Sequence, residues 1–174
     1  MDNSFPAYVQ LLELMAFFSG YPLIYAVVIF TAGKVFLKNN LEKDMIALLP
    51  FAYAMVGTLY LGLQLKNLYP HYSIDNIVLT MQKPWLIAWG LLSTLFWIPI
   101  FAKKPFLSLI HSLVFFLLLA RDLMVQLFLP ASDINVVRND MKLYTDSILL
   151  NLGAFVFIML INFLFSLNKK HLIP

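Results

Sequence analysis

The sequence predicts an all-α, polytopic integral membrane protein: one transmembrane domain, residues 1–174, built as a five-transmembrane-helix bundle. Three observations predict it. Five stretches carry no charge, at 14–33, 45–65, 84–102, 105–120 and 147–168. The chain is 61% hydrophobic and 12% charged, with a mean hydropathy of +0.83, well above that of ordinary soluble domains. The longest stretches left for water, 66–83 and 130–146, are too short to hold a core of their own. A helix rising about 1.5 Å per residue needs roughly 20 apolar residues to cross a hydrocarbon layer of about 30 Å. Four of the runs are long enough alone, and the fourth in order becomes so only if Arg121 and Asp122 lie inside it. The spans are therefore placed at about 14–37, 45–65, 84–102, 105–129 and 146–168.

The first span is read as retained, because Met1-Asp2-Asn3 lacks the positive n-region of a signal peptide. Pro22 falls in its middle and frees the Phe18 carbonyl, beside Ser19, Gly20 and Tyr21. A helix broken at that depth either lines a binding site or is an ordinary proline kink. Pro50 lies near the start of the second span. That span also carries a face of Tyr53, Gly57, Tyr60 and Gln64 at spacings of 4, 3 and 4. Helix packing around the glycine explains the face, and it is also the face expected opposite a pocket, if one exists. Pro84, Pro105 and Pro130 fit the ends of the third and fourth spans. Tyr69, Tyr72, Trp85, Trp89 and Tyr144 collect where interfacial anchors belong. Trp97 sits deeper, before Pro99, where it packs against a kink.

The fourth span places His111, Asp122 and Gln126 on one helical face, since separations of 11 and 4 are whole turns. Ser147, Asn151 and Asn162 repeat those separations on the fifth. An antiparallel hairpin would pair His111 with Asn162, Asp122 with Asn151 and Gln126 with Ser147. Read structurally, this polar seam is an interhelical lock, stabilised by about 0.6–2 kcal/mol per interaction. Read functionally, it is one wall of a hydrated pocket. Asp122 separates the two, because an ionised carboxylate inside a span costs about 2.5 kcal/mol or more without a partner, a proton or water. Neighbouring Arg121 points about 100° around the helix and snorkels outward. The candidate ligand, proton or ion residues are thus Asp122, His111, Gln126, Asn151, Asn162, Arg121, Tyr53, Tyr60 and Gln64.

Lysine and arginine counts orient the molecule. One face receives Lys34, Lys38, Lys43, Lys103, Lys104, Lys169 and Lys170, and the other Lys66, Lys83, Arg138 and Lys142. This predicts an N-terminus outside and a C-terminus in the cytoplasm. In the two outer loops Ile74, Ile77, Val78 and Met81, and then Ile134, Val137, Met141 and Tyr144, recur at helical spacing. They predict short amphipathic helices on the membrane surface or over the tops of the spans. Ser132-Asp133 supplies an N-cap for the second, which runs on into the fifth span.

The chain has no cysteine, which excludes disulfides, thiolate metal sites and cysteine nucleophiles. Of three histidines only His111 lies at membrane depth. No phosphate-binding glycine loop, H-E-x-x-H motif or nucleophile elbow is present, and neither an enzyme nor a bound cofactor or metal is expected. The scattered lysines argue against nucleic-acid binding. Lys103-Lys104 and Lys169-Lys170 are placed to meet anionic lipids, although basic loops belong on the cytoplasmic face in any case. The expected partners are membrane lipids and either a second copy of the chain or another integral membrane protein, in a bacterial inner membrane. The expected role is a binding or accessory subunit of a membrane assembly. The alternative is a small transporter or channel for a proton, cation or polar solute that uses Asp122.

Overall fold

A computed structural model describes residues 4–35, 41–70, 72–73, 75, 77, 83–128 and 134–171. All regular structure among them is helical. In chain order the elements are α1 (Ser4–Phe18), α2 (Tyr21–Val35), α3 (Leu41–Leu68), α4 (Pro84–Leu91), a 3₁₀ segment η1 (Leu92–Trp97), α5 (Pro99–Ala102), α6 (Pro105–Phe128) and α7 (Ile134–His171). Four lengths are long and apolar enough to cross a membrane: Pro6–Thr31, Met45–Leu68, Pro105–Phe128 and Arg138–Leu167. The predicted span at 84–102 is a chain of three short pieces, of which Pro84–Trp97 is a shorter apolar helix.

The pieces follow from local chemistry. The Ser93 hydroxyl donates to the Gly90 carbonyl at 2.6 Å and Thr94 to that of Leu91 at 2.8 Å. Such back-bonding onto carbonyls three residues earlier tightens a helix toward 3₁₀ geometry. Pro99 then forces Ile98 out of the helical region, to φ −78° and ψ 126°. Pro84 and Pro105 open α4 and α6 as predicted; Pro130 lies outside the described residues. Trp97 packs beside that kink, donating from Nε1 to Thr58 Oγ1 at 2.9 Å.

The helix ahead of the first span starts at Ser4, not near 14, because Glu13 is accommodated within it. It breaks at Ser19-Gly20, one turn of chain before Pro22, and resumes at Tyr21. α3 continues unbroken through Pro50. α7 runs without interruption from Ile134, so the predicted surface helix and fifth span are one element. On it Met141 is exposed, while Tyr144 packs on Phe116. Ile74, Val78, Met81 and the Ser132-Asp133 cap lie outside the described residues. Ile77 donates its N–H to the Ser73 carbonyl at 3.0 Å.

α3 touches every other element, and the face read from its sequence is the one it buries: Tyr53, Gly57, Tyr60 and Gln64. Around it the core gathers Leu14, Phe18, Tyr21, Leu49, Leu86, Ile87 and Phe115. Two glycines set how closely the helices approach. A Cβ on Gly57 would overlap Ser93 Oγ, so η1 lies directly on α3. A Cβ on Gly20 would come within 2.5 Å of the Ile148 backbone nitrogen, so the break in the first span sits on the α7 main chain. Gly62 has nothing within 4 Å of its Cβ position. Gly20→Ala is therefore expected to destabilise the fold by about 1–3 kcal/mol through overpacking. Gly62→Ala should be neutral or stabilising by up to about 1 kcal/mol. Unfolding titrations in mixed micelles check both.

Candidate functional site

The membrane-depth histidine is held in the aromatic centre of the bundle. His111 Nε2 lies 2.8 Å from the Trp89 carbonyl and Nδ1 lies 2.7 Å from Tyr53 Oη. A carbonyl only accepts, so Nε2 carries the hydrogen and Nδ1 accepts from the tyrosine hydroxyl. Both ring nitrogens of one neutral tautomer are thereby used. The Trp89 indole stacks on the imidazole, with ring centroids 4.9 Å apart and planes 6° off parallel, and its Nε1–H points to the His111 carbonyl at 3.4 Å. Tyr53 is fully buried and also meets Tyr21, Phe18 and Phe96 through its ring. Below them Ser108 donates to the Pro105 carbonyl at 2.6 Å and lies 2.7 Å from Tyr21 Oη. The tyrosine is therefore the donor of that pair.

The break in the first span is closed by α7. The Gly20 N–H donates to Ser147 Oγ at 2.8 Å, and Asn151 Nδ2 donates to the Phe17 carbonyl at 2.8 Å. Ser19 Oγ caps the Met15 carbonyl at 2.6 Å. Backbone groups opened in hydrocarbon require such partners, and α7 supplies them from one polar face.

This corrects the predicted seam. Ser147 and Asn151 face the α1–α2 break, not Gln126 and Asp122. Gln126 instead donates to Asp140 Oδ2 at 2.9 Å, two turns before Ser147 on the same face of α7. His111 does not meet Asn162, which is exposed on a part of α7 where no described side chain past Ile158 is buried. The polar spacing on each helix was legible, but residue types alone admit several registers seven residues apart. Arg121 is exposed.

A second polar group lies at the other end of α6. Asp122 is in electrostatic range of Asp140 and of Tyr8, and Asp140 is only 2% exposed. Gln126 Oε1 is buried without a hydrogen-bond partner among the described residues. At the same end Glu13 receives Gln64 Nε2 at 3.4 Å and Asn67 Nδ2 at 3.5 Å, and the Lys83 N–H donates to Gln10 Oε1 at 3.3 Å. Tyr60 Oη is also buried beneath this layer, with no partner among the described residues. Between this end and His111 the face of α6 presents Phe115 and Leu119, which are 0% and 1% exposed.

Sequence reasoning missed Glu13 and Asp140 as acids on apolar helices, having counted Asp122 alone. Glu13 lies just outside an uncharged run and Asp140 lies seven residues before one, ahead of Lys142 and Asp146, so a charge-free window includes neither. Gln10, Glu13 and Phe17 at helical spacing were the available signal. Among the described residues no three histidine, aspartate or glutamate side chains gather where they could hold a metal ion. No protein family, curated protein or solved structure matches the chain.

Tyr53→Phe should cost about 1–3 kcal/mol, because it leaves the buried His111 Nδ1 without its donor. Tyr53→Phe combined with His111→Phe should cost less than the sum of the two single variants. A double-mutant cycle of unfolding free energies in micelles measures this coupling, and strict additivity would refute the pair.

Proposed function

We propose that this chain is a binding or accessory subunit of a membrane assembly, without enzymatic activity, that works by packing against a second copy or another integral membrane protein. One observation carries the reading. Gly153 lies on the floor of an open groove of about 340 Å³, walled by Met55, Leu59, Leu149, Leu150, Ala154 and Phe157. Beyond its own helix backbone and chain neighbours, nothing among the described residues comes within 4 Å of its Cβ position. Glycine in a helix interior costs roughly 1 kcal/mol relative to alanine. Gly20 and Gly57 offset that cost through close contacts inside the bundle, whereas Gly153 has none there. Small residues facing lipid suit the close approach of another helix. The interior between Asp122 and His111, where α6 buries Phe115 and Leu119, supports a packing role over a conduit.

The reading carries a five-crossing topology, with the N-terminus outside and the C-terminus in the cytoplasm of a bacterial inner membrane. Laid end to end, α4, η1 and α5 extend roughly 30 Å, enough to cross. Lys83 bonds to Gln10 at the end where Gln126 meets Asp140. In this reading the chain from Lys83 to Pro105 crosses in the direction opposite to α6. The outer loops are taken to cover the tops of the spans.

A small transporter or channel is the second reading, favoured by the unpartnered Gln126 Oε1 beside Asp122 and Asp140. The two readings differ in proteoliposomes. As a subunit, the protein gives no proton or cation flux above empty vesicles, and Asp122→Asn changes stability alone. As a transporter, wild-type flux is present and Asp122→Asn abolishes it.

Gly153→Phe should dissociate the assembly while leaving the unfolding midpoint of the monomer nearly unchanged, as seen by native mass spectrometry from nanodiscs. An assembly that survives Gly153→Phe rules this interface out. Because the chain has no cysteine, single substitutions report topology with an impermeant maleimide. Tyr72→Cys and Asn139→Cys should react in intact cells, and Lys104→Cys only after permeabilisation. Reaction of Lys104→Cys in intact cells would overturn the orientation.

A further inference from the structure

We propose that the groove between η1 and the first half of α6 seats one acyl chain of an anionic glycerophospholipid, whose phosphate is held by Lys103 and Lys104. The groove has a volume of about 250 Å³ and is lined by Trp89, Leu92, Leu95, Phe101, Leu107 and Ile110, with Phe96 and His111 at its base. His111 offers it no free polar group, since both ring nitrogens are bonded within the bundle. An occupant is therefore met by hydrocarbon and aromatic surface.

Two cations follow one lining residue in the chain and precede another. Lys103 and Lys104 form the turn between Phe101 and Leu107, two of the lining residues. That turn is fixed by its own backbone: Lys103 N–H to the Pro99 carbonyl at 3.1 Å, Lys104 N–H to that of Phe101 at 3.1 Å, and Leu107 N–H to that of Lys104 at 2.9 Å. Both lysines are exposed. No aspartate or glutamate occurs from residue 76 to residue 121, so α4, η1, α5 and the first half of α6 carry no carboxylate. An amphiphile with an apolar tail and an anionic head matches both parts of the surface.

A partner helix matches less well. Close helix contacts in a membrane use small residues that let backbones approach, whereas this groove is walled by tryptophan, phenylalanine and leucine. A single flexible acyl chain fits between such side chains without needing a flat face. Because the tail leaves one hydrocarbon environment for another, burial gives little selectivity. The choice among lipids falls to the lysines, each of which favours an anionic surface several-fold.

Native mass spectrometry of the protein released from nanodiscs of equal phosphatidylglycerol and phosphatidylcholine, with matched acyl chains, tests the assignment. Bound lipid should be enriched about thirtyfold in phosphatidylglycerol, from two basic side chains near the surface at about 1 kcal/mol each. Lys103→Gln with Lys104→Gln should bring the ratio close to parity, while Lys66→Gln, at the far end of α3, leaves it unchanged. Ile110→Trp should fill the groove and reduce retention of both lipids. Parity in the wild-type protein overturns the proposal without reference to any variant. Undiminished enrichment in the double lysine variant, or undiminished retention in Ile110→Trp, overturns the phosphate site and the groove respectively.

Discussion

The rest of this bundle depends on how one opened stretch of backbone is satisfied. Between Phe18 and Tyr21 the chain leaves the helix inside a long apolar segment, where freed donors and acceptors need partners within the protein. α7 provides partners for the Gly20 N–H and the Phe17 carbonyl, through Ser147 and Asn151. The contact requires that Gly20 have no side chain, because the α7 backbone occupies the space. This joint fixes which face of α7 looks inward and brings it against α1 and α2 together. With α7 committed there, α6 meets it nearer the start of α7, through Gln126 and Asp140, and its other polar residue, His111, finds its partners on α3 and α4.

The His111 cluster shows how a titratable group becomes architecture. Its two nitrogens tie α6 to α3 through Tyr53 and to α4 through the Trp89 carbonyl, while the indole covers the ring. The carbonyl it uses lies close to where α4 tightens into η1, which Ser93 and Thr94 bring about. The 3₁₀ segment in turn rests on Gly57. A glycine, two hydroxyls and a histidine on three different elements thus specify one arrangement. Such a fully satisfied buried network favours a unique packing over its alternatives.

Polar chemistry at the other end is looser. Glu13 is met by two amides at long distance, and Asp122 and Asp140 share one neighbourhood with Gln126 between them. Two buried acceptors or hydroxyls there, Gln126 Oε1 and Tyr60 Oη, have no partner among the described residues. Any role in binding a small polar species would draw on this end, whereas the lateral surfaces, the Gly153 groove and the groove above Lys103 and Lys104, suit membrane-embedded partners. The separation between them is filled by Phe115, Leu119, Leu14 and Phe18.

Much of this was readable from spacing. Period 3.6 marks the inward face of α3 from Tyr53 to Gln64, because a helix buries whichever residues share an angle. Pro22 marks the break in the first span, because proline cannot donate, and the charge-free lengths mark the apolar helices. Spacing also put His111, Asp122 and Gln126 on one face of α6, and Ser147 with Asn151 on one face of α7. Which face meets which neighbour was decided only by the tertiary structure. Polar residues at matching periods satisfy several registers equally, and the partner of Asn151 is a main-chain carbonyl that no residue type announces. Glu13 and Asp140 escaped because tolerance of an acid on an apolar helix depends on amides brought to it from distant parts of the chain. Angle and length are properties of one helix and lie in the sequence; the choice of partner belongs to pairs of helices, and only packing settles it.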